Sequence, residues 1–213
     1  MSTSQQRNLL QSRVIPVLRY NDPDQALYAA DVAIRAGFDA IELTWTIPDV
    51  LNVLKTLRQQ HGSAVLIGVG TLMDAAQARA VLNASADFLV SPGLATDMVA
   101  PAHEAGKLCL VGAFTPSEVM TAIRAQADVI KIFPADTGGP GHLAALRAVF
   151  PDATFCPTGG ISAANMNDYF RAGANVVGIG SSLYDKKAFA ARDTDNLLAG
   201  LRQTREAADV SRA

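Results

Sequence analysis

The chain has 213 residues and a formal net charge of −2, with no cluster of Lys and Arg, which excludes a nucleic-acid groove or a polybasic membrane patch. Hydrophobic residues make up 49% and charged residues 18%, so the composition argues against disorder and supports a large core. No apolar run approaches bilayer length and "MSTSQQRNLLQSR" has no signal-peptide core, so a soluble cytoplasmic protein is expected.

A helix around Ser4–Leu10 is expected to open the chain and cap one end of the fold. Short apolar strands then alternate with longer amphipathic stretches: "VIPVLRY", "AIELTW", "LIGVGT", "FLVSPG", "LCLVGA", "VIKIFPA", "TFCPTGG" and "NVVGIGSS". Between them, helices are expected at Pro23–Arg35, Pro48–Gln60, Asp74–Asn83, Thr96–Ala105, Pro116–Arg124, Gly141–Phe150 and Ala163–Arg171, with a last one from Asp193. Asp22 before Pro23, Thr115 before Pro116 and Ser162 before Ala163 are helix-start signals. "RAGFDAIEL", "EAGKLCLVG" and "RAGANVVGIG" share one device, a helix that ends on a left-handed glycine before the next strand.

Strict strand–helix alternation means a parallel sheet covered by helices, and eight units suggest a closed (β/α)8 TIM barrel, a single domain over residues 1–213 with an N-terminal capping helix. A doubly wound sheet is the alternative, but "GVGTLMDA" lacks the glycine spacing of a dinucleotide fingerprint. Cys109 and Cys156 lie in apolar strands and read as buried, reduced thiols. His61, His103 and His142 lack metal-ligand spacing, so no metal is expected.

In a parallel barrel the chemistry sits at the C-terminal ends of the strands. Three charged residues, Arg19, Glu42 and Lys131, are embedded in the predicted strands. Lys131 has Val129, Ile130, Ile132 and Phe133 around it. A buried ammonium group costs on the order of several kcal/mol, and a lysine that sheds its proton becomes an amine nucleophilic toward carbonyls. The alternatives are a strand-end lysine that snorkels to water and a structural ion network. Thr71, Ser91 and Pro92 follow the third and fourth strands. Thr158, Gly159 and Gly160, with Gly180 and Ser181, end the last two strands, where this fold holds a phosphate on backbone N–H groups. Simple turn glycines are the other reading.

Lys131 in "IKIFPAD", with "GVGT", "SPG" and "CPTGGIS", resembles the 2-keto-3-deoxy-6-phosphogluconate (KDPG) and 4-hydroxy-2-oxoglutarate (KHG) aldolases, from about Val14 to Leu183. The resemblance implies a class I aldolase on a (β/α)8 barrel, a homotrimer without metal or other cofactor. It would split the phosphorylated 2-keto-3-deoxy sugar acid KDPG into pyruvate and glyceraldehyde 3-phosphate. The galactonate epimer and 4-hydroxy-2-oxoglutarate are alternative substrates. The resemblance makes Lys131 the Schiff-base lysine and Glu42 the acid/base, places Thr71 near the pyruvate carboxylate, and assigns Thr158, Gly159, Gly160 and Ser181 to the phosphate end. One departure matters: "ELTWTIP" has Thr46 where many members carry an arginine. Arg19 in "PVLRY" is then the candidate cation for the carboxylate, as in the galactonate branch, while Trp45 and Ile47 either reshape the pocket wall or pack behind it. The rival readings are a phosphate-binding epimerase or isomerase barrel, which needs no imine-forming lysine, and a binding module without catalysis.

Overall fold

The computed structural model describes residues 4–210. Eight strands run in parallel: β1 Val14–Leu18, β2 Ala40–Thr44, β3 Leu66–Gly70, β4 Phe88–Val90, β5 Leu108–Ala113, β6 Val129–Ile132, β7 Phe155–Pro157 and β8 Val177–Ile179. Their order is β7-β6-β5-β4-β3-β2-β1-β8, and a parallel bridge between Thr158 and Gly178 joins the two ends into a barrel. The helices are α1 Ser4–Gln11, α2 Pro23–Arg35, α3 Val50–His61, α4 Ala75–Asn83, α5 Val99–Glu104, α6 Pro116–Arg124, α7 Ala135–Val149, α8 Met166–Arg171, α9 Lys186–Ala190 and α10 Thr194–Val210. None of these is long and apolar enough to cross a membrane.

Period-two alternation divides each strand between two cores. Ile41 and Leu43 of β2, Ile67 and Val69 of β3, and Ile130 and Ile132 of β6 face outward and pack against the helices. Ala40, Phe88, Val90, Leu108, Leu110, Val129 and Cys156 face inward and fill the lower barrel. Leu9 of α1 is fully buried among them, beside residues that begin β2, β5 and β6. The capping helix therefore closes the N-terminal mouth and leaves the opposite mouth for chemistry.

The helix starts follow local rules. Asp22 accepts the Asp24 N–H at 3.0 Å ahead of Pro23, and Thr115 and Glu118 form a reciprocal capping box. Other boundaries differ from expectation. Helix α7 begins at Ala135, six residues before the predicted Gly141, and bends at Gly139, whose φ is 67°. Its first turn hangs from the barrel, since the Ala135 N–H donates to Thr158 O at 2.9 Å. Helix α8 begins at Met166 rather than Ala163, because the Ser162 N–H is taken up by the Asn165 side chain in a preceding turn. β1 ends at Leu18, which puts Arg19 just past the strand rather than within it.

Candidate active site

Glu42 and Lys131 lie on β2 and β6, four places apart in the eight-stranded ring, and reach toward each other across the barrel axis. Lys131 Nζ lies 3.5 Å from Glu42 Oε1, and the residues are 5% and 3% exposed. Glu42 Oε1 is buried and has no hydrogen-bond partner among the described residues. The pair is thus close enough for charge attraction but not locked by a hydrogen bond, and a small movement brings it within direct proton-transfer reach. A lysine snorkelling at the strand end does not match this burial.

Above the pair opens a cavity of about 440 Å³, lined by Arg19, Thr71, Pro92, Lys131, Thr158, Gly159, Gly160, Gly180 and Ser181. These are the sequence-predicted residues apart from Glu42, which sits behind Lys131. Ser182, which ends the eighth strand with Gly180 and Ser181, also lines it, as do Val17, Phe133 and Ile161, which were not singled out from sequence. Phe133 carried a usable signal, being two residues beyond Lys131 on the inward face, whereas Val17 meets Glu42 only through the strand register. Ile161 and Ser182 flank the glycine cluster, where the Ser182 hydroxyl donates to Ile161 O at 2.8 Å. Trp45 and Ile47 pack between barrel and helices and do not line the cavity.

One wall of the mouth is a hydrogen-bonded chain. Arg19 Nη2 donates to Thr71 Oγ1 at 3.1 Å and Nη1 reaches Thr46 Oγ1 at 3.5 Å, while the Thr44 and Thr46 hydroxyls bond at 2.9 Å. Thr71 has φ 62°, a left-handed conformation that costs a β-branched residue about 1–3 kcal/mol. Flanking bonds hold it there, Trp45 N–H to Gly70 O at 2.7 Å and Leu72 N–H to Val90 O at 3.1 Å. Strain of this kind gathers at sites where a side chain must be aimed. Here it aims the Thr71 hydroxyl at Arg19.

The far wall supplies N–H donors. Gly159 and Gly160 have φ 102° and 67°, and among the described residues their N–H groups donate to no other protein group. Ser181 and Ser182 open the turn Ser181–Leu183, so their N–H groups have no partner inside it. Unpaired amides around a cavity suit an anion. Thr158 is 7% exposed, and its hydroxyl occupies the space that a side chain at Gly178 would fill.

Both cysteines are free and buried. Burial pushes the Cys156 thiol up to about 12, with Lys131 opposing and Glu42 reinforcing the shift, and Thr158 bonding to the sulfur. Burial, then Asp128 and Asp97, pushes the Cys109 thiol up to about 12. With pKa values raised this far, neither supplies a thiolate at neutral pH. Among the described residues, no three His, Cys, Asp or Glu side chains come together as a metal site would require.

Residues 6–199 match the family model described as KDPG and KHG aldolase. The chain belongs to the KDPG and KHG aldolase family. Its members are pyruvate-dependent aldolases, carbon–carbon lyases. Over 172 residues it is 34% identical to a probable 2-dehydro-3-deoxy-6-phosphogalactonate aldolase of Rhizobium meliloti, covering 80% of this chain and 81% of that one. Over 183 residues it is 33% identical to a 2-dehydro-3-deoxy-phosphogluconate aldolase of Pseudomonas aeruginosa, covering 85% and 82%. Among solved structures, the KDPG aldolase of Legionella pneumophila, with pyruvate captured as a covalent carbinolamine, superposes with TM-score 0.84 at 28% identity, covering 94% of this chain and 97% of that one.

Proposed function

We propose that this aldolase works through an imine on Lys131 and releases pyruvate and glyceraldehyde 3-phosphate from a 2-keto-3-deoxy-6-phospho sugar acid. One observation carries this reading: a buried lysine faces an unbonded buried carboxylate at 3.5 Å, beneath a cavity ringed by unpaired amides. The Lys131 amine adds to the C2 ketone, and loss of water from the carbinolamine gives an iminium, an electron sink. Glu42 takes the C4 hydroxyl proton, directly or through a water. The C3–C4 bond breaks, its electrons enter the enamine, and the aldehyde leaves. Protonation at C3 and hydrolysis then free pyruvate and Lys131. Arg19 and Thr71 hold the carboxylate, Pro92 shapes the same mouth, and Gly159, Gly160, Gly180 and Ser181, with Thr158, hold the phosphate. Binding the phosphate there fixes the reacting carbons over Lys131.

The motifs point first to the gluconate epimer at C4. A specific observation favours the galactonate epimer: Thr46 replaces an arginine, and the one guanidinium on this wall comes from Arg19, hydrogen-bonded to Thr46 and Thr71. Sequence identity does not separate the two, with a galactonate relative at 34% and gluconate relatives at 33% and 35%. Steady-state kinetics with both epimers are expected to give a higher kcat/KM for the galactonate one. A clear gluconate preference would return the reading to that substrate.

The imine is tested by borohydride reduction in the presence of pyruvate, followed by peptide mass spectrometry. A reduced pyruvyl adduct on Lys131 is the expected result. No adduct in folded protein would favour the epimerase-like or binding readings.

Arg19→Ala is expected to raise KM for every keto acid by about 10- to 100-fold, the size of a lost charge-assisted bond, with a smaller change in kcat. An unchanged KM would mean that the carboxylate is held elsewhere. Self-association into a homotrimer belongs to the same reading. Its support is the family resemblance, together with a structural neighbour that is a cage designed by fusing symmetric oligomeric domains.

A further inference from the structure

β3 carries two inward glycines, Gly68 and Gly70, and no turn requires either. What each makes room for differs. A Cβ on Gly68 would fall 2.1–2.4 Å from ring atoms of Phe88, a fully buried and rigid side chain. A Cβ on Gly70 would fall 1.9 Å from Glu42 Oε1, 2.6 Å from its Cδ and 3.0 Å from its Cγ. In register Glu42 pairs with Gly68, and Thr44 pairs with Gly70. The Glu42 side chain has therefore leaned two pairs along β3, to the next inward position, and its carboxylate fills the space of a missing side chain.

No hydrogen bond holds Glu42 Oε1 in that place among the described residues. Its position is set by shape on one side and by Lys131, 3.5 Å away, on the other. We propose that Gly70 is a positioning residue for proton transfer: its lack of a side chain seats the Glu42 carboxylate against the Lys131 amine. The proposal rests on the reading of Glu42 as the acid/base.

The two glycines then answer to different penalties. At Gly68 a methyl group meets a ring with no room to withdraw, and the fold bears the cost. At Gly70 it meets the carboxylate end of the Glu42 side chain, which gives way in place of the backbone. The fold yields little and the chemistry loses its base.

The test separates imine formation from proton transfer. With pyruvate bound as the iminium, the C3–H bond breaks, its proton passes to Glu42, and the electron pair forms the enamine while the C=N electrons return to nitrogen. Exchange of the pyruvate methyl protons with deuterated water reads this step. Gly70→Ala is expected to keep the borohydride-trapped adduct on Lys131 and to slow exchange by about a hundredfold or more, the range for a lost acid/base. Turnover should fall in kcat with KM nearly unchanged. Glu42→Gln should show the same slowing, and Gly70→Ala/Glu42→Gln should be no slower than Glu42→Gln alone.

Native exchange in Gly70→Ala, or multiplied losses in the double variant, overturns the proposal alone. Native exchange in Glu42→Gln overturns the acid/base reading and takes the proposal with it. Should Gly70→Ala not fold, Gly70→Ala/Glu42→Ala decides the matter, because removing the carboxylate vacates the contested space. The double variant is expected to fold with the thermal midpoint of Glu42→Ala. A lower midpoint would show that Gly70 meets something other than Glu42.

Discussion

Replacing Lys131 by methionine is expected to cut turnover by at least about 10⁴-fold, within the roughly 10⁶-fold or greater acceleration that enzymes supply. Methionine matches the lysine stem in length and suits a buried strand position, but it has no lone pair able to form an imine. The variant also leaves Glu42 facing an apolar group. Removing one member of a buried ion pair costs about 3–5 kcal/mol unless the survivor takes up a proton or reaches water. The open cavity above the pair gives the carboxylate that route, so a folded protein of lowered stability is expected. Lys131→Arg separates the two effects. It puts a permanent cation opposite Glu42 but offers a guanidinium that forms no imine under these conditions. Both variants should fail to retain pyruvate after borohydride reduction, with the arginine variant closer to native in thermal stability. Turnover near native in either folded variant would end the imine mechanism for this chain.

The barrel was legible because its cause is local. Each strand is short, apolar and followed by an amphipathic stretch, and eight repeats of that unit leave few ways to close. Lys131 and Glu42 were legible for a related reason, since a charge inside an apolar strand contradicts its surroundings and asks for a partner. Arg19 was read as part of a strand, but pairing ends at Leu18 and the guanidinium lies in the mouth, bonded to Thr46 and Thr71. The start of α7 was hidden because "ADTGGPG" holds three glycines and a proline, each a poor helix former. Its first turn is held instead by the bond from Ala135 to Thr158 O, a contact between elements that no window of sequence contains. The same limit applied to Gly70. As a letter in "GVGT" it marks a motif and lacks dinucleotide-loop spacing, but says nothing of what its missing side chain makes room for. Its neighbour in space is a carboxylate twenty-eight residues earlier, on another strand.

Glu42→Gln is the second large effect, and its expected signature is selective. Glutamine keeps the shape of the side chain, so it should fit the same space beside Gly70, where a carboxylate oxygen now lies 1.9 Å from the position of an added Cβ. It accepts hydrogen bonds but does not take up a proton at neutral pH. Attack of Lys131 on the ketone does not need that proton acceptor in the ground state, so the borohydride adduct with pyruvate should persist. Carbon–carbon cleavage and methyl proton exchange both need it, and both should slow by about 10²–10⁴-fold. The two rates should fall together, because one group serves the C4 hydroxyl in cleavage and C3 in exchange. If cleavage slowed while exchange stayed native, the base at C3 would be a different group. The Thr158 hydroxyl, buried on the opposite wall beside the Cys156 thiol, is held 3.9 Å from that sulfur and is not placed to act as a strong base. A water relayed through the substrate phosphate is no alternative, because pyruvate carries no phosphate and its exchange is read without one.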